Sequence, residues 1–61
     1  MHASISGALE NLDISWKAFE HKGEPMTKHQ VRLILIYGLK QGYTSTSQLT
    51  DDEVDKILKE N

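Results

Sequence analysis

The residues able to do chemistry are few. His21 and His29, with Glu20 and Glu24 beside them, are the one grouping with metal-ligand types. Pro25 and two expected helix ends separate the imidazoles, and the spacing fits no established zinc pattern. These histidines therefore read as solvated surface groups, His2 reads as part of a frayed terminus, and no metal or cofactor is expected. Ser15 and the run Thr44-Ser45-Thr46-Ser47 supply hydroxyls. A serine or threonine nucleophile needs an adjacent base and a pocket that excludes water, whereas these residues have the character of helix caps and loop formers. The sequence points away from an enzyme, and no small-molecule substrate is apparent.

One short segment carries more specific chemistry. Ser6-Gly7-Ala8-Leu9-Glu10-Asn11 resembles the Ser/Thr-x-x-x-Glu-Gly/Asn motif of small antitoxins that silence Fic-domain AMP-transferases. The resemblance implies that Glu10 is an inhibitory carboxylate aimed at an arginine of the toxin, with Ser6 supporting it and Asn11 closing the motif. It spans six of the 61 residues. The competing reading takes Ser6 and Glu10 as ordinary exposed helix residues.

Charge separates further classes. Residues 14–40 carry Lys17, Lys22, Lys28, Arg32 and Lys40 against Glu20 and Glu24, while the segment from Asp51 to Asn61 has five carboxylates against Lys56 and Lys59. A duplex binder needs a stripe of several Arg or Lys to neutralise phosphates, and this chain has a single arginine. A nucleic-acid-binding accessory role is thus a secondary reading, resting on Lys17, Lys22, Lys28 and Lys40. With no cysteine the chain suits a reducing compartment, Met1-His2-Ala3-Ser4 has no signal-peptide character, and Leu33–Tyr37 is too short an apolar run to cross a bilayer. The expectation is a cytoplasmic protein away from membranes.

The elements that must position these residues read as helices. Ile5, Leu9, Leu12, Trp16 and Phe19 fall on one stripe at about 100° per residue, predicting a first helix over about 4–22, capped by Ser4, with Trp16 at the centre of the core and Asp13 paired to Lys17. Gly23 and Pro25 stop it. Thr27 and Gln30 have capping-box spacing, and Met26 and Val31 suit a hydrophobic staple, so a second helix is expected over about 28–41, ending at Gly42 with Tyr43 folding back. Thr44 to Gln48 is a loop with room for one helical turn. Thr50 with Glu53, and Leu49 with Val54, repeat the capping box and staple and predict a third helix over about 51–60.

The fold class is therefore all-α, a single compact three-helix domain over 1–61. Val31, Ile34, Leu35 and Leu39 of the second helix face the core, joined by Val54, Ile57 and Leu58 of the third. Leu33, Ile36 and Tyr37 lie on the far side at about 200°, 140° and 240° from Val31, with Lys40 at about 180°. A chain this short has little core to spare. That apolar face is accordingly the candidate interface, for a second copy in a homodimer or for another protein. By elimination the function expected is that of a small interaction or regulatory module.

Overall fold

A computed structural model describes residues 4–60; His2 and Asn61 lie outside them. The chain is mostly helical, with four α-helices and a two-stranded sheet. In order they are α1 (Ile5–Glu10), α2 (Leu12–Ser15), a 3-10 helix (Trp16–Ala18), β1 (Glu20–His21), β2 (Glu24–Pro25), α3 (Lys28–Lys40), a second 3-10 helix (Thr46–Gln48) and α4 (Asp51–Glu60).

The expected first helix over 4–22 is broken twice. It starts as read, with the Ser4 side chain accepting from the Gly7 N–H. At Asn11 the side-chain Nδ2 donates to the Gly7 carbonyl at 3.1 Å, beside the Asn11 backbone N–H on the same oxygen. This local alternative to the helical ladder ends α1. The Ser15 hydroxyl then donates to the Ala8 carbonyl at 2.8 Å, taking the acceptor that an unbroken helix would give to the Leu12 N–H.

The second break replaces helix by hairpin, so the fold is not purely α. Phe19 is extended, and Glu20 pairs antiparallel with Pro25, and His21 with Glu24. The two-residue turn between the strands has positive φ at both Lys22 (52°) and Gly23 (79°). Two successive left-handed residues match the right-handed twist of flanking strands, so the glycine that stops a helix instead reverses a hairpin.

Downstream the boundaries follow the capping signals. Thr27 and Gln30 form a reciprocal capping box on α3. Its C-terminus closes with Tyr43 N–H on the Gly38 carbonyl (2.8 Å) and Gly42 N–H on the Leu39 carbonyl (3.0 Å), Gly42 having φ 80°; this is a Schellman end. Ser45 caps the second 3-10 helix, and Thr50 and Glu53 exchange both capping-box bonds on α4.

The core centres on Ile5, Val31 and Leu35, with Ala8, Leu12, Met26, Ile34, Val54 and Ile57 around them. Trp16, expected at the centre, is only half-buried and packs against this cluster from outside, because the break at Asn11 leaves it in a separate 3-10 turn. Leu39, expected inside, is 47% exposed. The expected Asp13–Lys17 pair is not formed; Asp13 pairs with Lys28 at the start of α3. Gly38 makes room for α1 against α3, since a β-carbon there would lie 2.6 Å from Ile5 Cδ1. Ile5 N–H also donates to the Thr44 carbonyl at 3.0 Å, so the start of α1 is tied to the loop after α3.

Candidate interaction clefts

Two polar knots hold α4 in place. In the first, Glu53 Oε2 accepts from the Tyr43 hydroxyl at 2.7 Å and the Tyr37 hydroxyl at 2.8 Å, while Oε1 accepts from the Thr50 N–H and hydroxyl. The Tyr43 phenol, the Thr50 backbone and the Tyr37 phenol together hold the Glu53 carboxyl down at about 2. The same bonds to a carboxylate push both phenols up. In the second, His21 Nε2 lies 2.6 Å from Asp55 Oδ1, and Lys22 Nζ donates to Asp55 Oδ2 at 2.7 Å. Lys22, then His21, hold the Asp55 carboxyl below its usual range. The hairpin is thereby pinned to α4 across more than thirty residues of chain.

Between these elements a cleft of about 380 Å³ opens to the surface. Its floor is the buried core itself, Met26, Ile34 and Val54, and Phe19 and Leu49 form apolar walls. Glu20 from β1 and Asp51 from α4 carry charge at its edge, with His21, Thr46 and Ser47 alongside. No lysine or arginine lines it.

The face singled out in the sequence is a different place. Leu33, Ile36, Tyr37 and Lys40 do come together, in a smaller groove of about 200 Å³, but α4 supplies Ile57 and Glu60 to its other side. Part of the apolar surface expected to await a partner is thus covered from within the chain. Ile36 remains 37% exposed, and the Tyr37 hydroxyl is spent on Glu53.

Ser6 and Glu10 are both exposed, one turn apart on α1, whereas Asn11 is the residue that ends that helix. Of the cations considered for nucleic acid, Lys22 and Lys28 are paired with Asp55 and Asp13, and Lys17 and Lys40 are exposed. His29 is exposed. Among the described residues no group of three or more His, Asp or Glu side chains is placed to hold a metal ion, and no helix is long and apolar enough to cross a membrane.

The hydroxyl cluster is engaged structurally: Ser15 on Ala8, Thr44 on the Gln48 side chain, and Ser45 with Ser47. Both nitrogens of His21 face carboxylates, Nε2 at 2.6 Å from Asp55 and Nδ1 at 3.9 Å from Asp51. Sequence reasoning missed the cleft because it read Phe19 to Lys22 as helix. The available signal was Lys22-Gly23 followed by Pro25, a two-residue turn between short segments. No family model, curated protein or solved structure matches the chain.

Proposed function

We propose that this chain is a small cytoplasmic protein-interaction module, without catalytic chemistry of its own, which grips an apolar segment of a partner protein in the cleft between the hairpin and α4. The observation that supports this reading is the cleft floor. Met26, Ile34 and Val54 belong to the core, yet the chain leaves an opening above them walled by Phe19 and Leu49. A concave apolar site with a few polar groups at its edge is the usual form of a binding site, and a chain this short gains stability from whatever fills it.

A homodimer through Leu33, Ile36, Tyr37 and Lys40 is the second reading, favoured by the exposure of Ile36 and Leu39 on α3. It has less to work with. Two α3 helices packed antiparallel about Ile36 would set Arg32 of one copy against Lys40 of the other, an unfavourable pairing of like charges.

The test is affinity capture with mass spectrometry from nuclease-treated extract, comparing the wild type with Ala18→Trp. Ala18 is exposed and lines the cleft, so an indole there is expected to obstruct the cleft while the core residues stay unchanged. A single protein retained by the wild type and lost by Ala18→Trp is the expected result. Equal recovery by both, or release by nuclease, overturns the proposal, and light scattering at micromolar concentration gives the dimer mass if the second reading holds.

A further inference from the structure

We infer that the partner segment presents a large apolar side chain with a lysine or arginine beside it; this rests on the cleft being the binding surface. The carboxylates lining the cleft are Glu20 from β1 and Asp51 from α4, beside an apolar floor, and no lysine or arginine lines it. The nearest lysine in the hairpin, Lys22, is held on Asp55. Asp51 lies 3.9 Å from His21 Nδ1, beyond hydrogen-bond distance, and acts on Lys22 electrostatically, so its oxygens can still accept from an incoming donor. Its place in the first turn of α4 is one the helix dipole favours in any case. Glu20 has no such reason. It is exposed on a two-residue strand opposite Pro25, so its carboxylate is available to a ligand and stabilises no helix end. An apolar anchor on Met26, Ile34 and Val54 would bring a flanking cation toward one or both carboxylates, whereas a flanking acid would meet like charge. Charge also sets direction. Residues 28–40 contain no carboxylate and expose Arg32 and Lys40, so α3 itself offers a basic segment like charge, and the groove along it has Glu60 alone as a carboxylate against two in the cleft.

The experiment titrates the ¹⁵N-labelled full chain with three acetylated, amidated hexapeptides: Ser-Lys-Leu-Phe-Lys-Ser, its twin with glutamate for both lysines, and its twin with serine for both. The lysine peptide is expected to shift the amide resonances of Phe19, His21, Leu49 and Val54 and to bind about tenfold more tightly than the glutamate twin. That preference should shrink at high salt, where exposed charges are screened, and should be largely lost in Glu20→Lys, a substitution at an exposed position that leaves Asp51 opposed by an ammonium. Equal binding of all three peptides overturns the charge selection and leaves the cleft as an apolar site. No shift at these residues at millimolar peptide, or shifts confined to Leu33, Ile36 and Lys40, overturns both the selection and the cleft.

Discussion

Glu53 serves two structures with one carboxyl group. One oxygen completes the capping box of α4, and the other collects hydroxyl bonds from Tyr37 at the far end of α3 and Tyr43 beyond it. The sequence shows the first role, since Thr50 and Glu53 stand three apart before an apolar run. The second depends on tertiary placement that no local pattern encodes. Because the folded-state value is depressed to about 2 from an ordinary 4.5, the group's contribution is fully present above the ordinary value and is lost as pH falls from there through about 2. Thermal melts of the wild type should therefore fall on the acid side across that window, and Glu53→Gln should flatten that part of the profile while lowering stability at neutral pH. A glutamine mutant with the same acid dependence as the wild type would assign the loss to Asp55 or Asp13, whose carboxyls are also held low.

Among the elements, α3 takes a neighbouring side chain close against its backbone at Gly38. Gly38 costs helix propensity, about 1 kcal/mol relative to alanine, and the compensation is the close seat of Ile5, which is fully buried. Gly38→Ala should regain propensity but crowd Ile5 Cδ1, for a net loss of about 1 kcal/mol. Ile5→Val removes that methyl group, so the double substitution should cost less than the two single ones added, and chemical denaturation measures the difference. The elements with capped ends were legible in advance: α3 and α4 begin and end within a residue of where Thr27, Gly42 and Thr50 place them. The region from Ile5 to Pro25 was legible as an apolar stripe but not as a path. Ile5, Leu9, Leu12, Trp16 and Phe19 satisfy helical periodicity, yet Asn11 carries a side chain that competes for the backbone, and Lys22 takes a left-handed conformation rare for its type. Neither departure is visible in the apolar periodicity, which is the same for a continuous helix.

For the molecule as a whole, the consequence is a core centred one helix away from the largest side chain. Leu35→Ala should cost roughly 2–5 kcal/mol, which is comparable to the entire stability of so small a domain, and should abolish the cooperative melt. Trp16→Ala should leave a cooperative transition at reduced temperature, since the indole packs against the core from outside and stays partly exposed in the native state. Circular dichroism on both variants checks the order, and a Trp16 mutant as damaged as the Leu35 mutant would place the centre back at the indole. The candidate cleft was illegible for the same reason that the centre was misplaced. Its walls come from Phe19 and Leu49, thirty residues apart, and only the hairpin brings the first of them round to the second.

The paired left-handed residues at the hairpin tip make Lys22 an unusual target for trypsin. Lys22 and Gly23 are exposed, and exposed tips are where nicking concentrates. A protease, however, must thread an extended strand through its site with the lysine side chain free. Here the backbone is folded into a two-residue reversal and the ammonium is occupied by Asp55. Cleavage after Lys22 should accordingly report the opening of this one turn from α4, a local event of lower energy than global unfolding. Asp55→Asn should hasten the cut while leaving the melting temperature within a few degrees of the wild type, and a nick after Lys22 that tracked only the global melt would mean that hairpin and helix part company together with everything else.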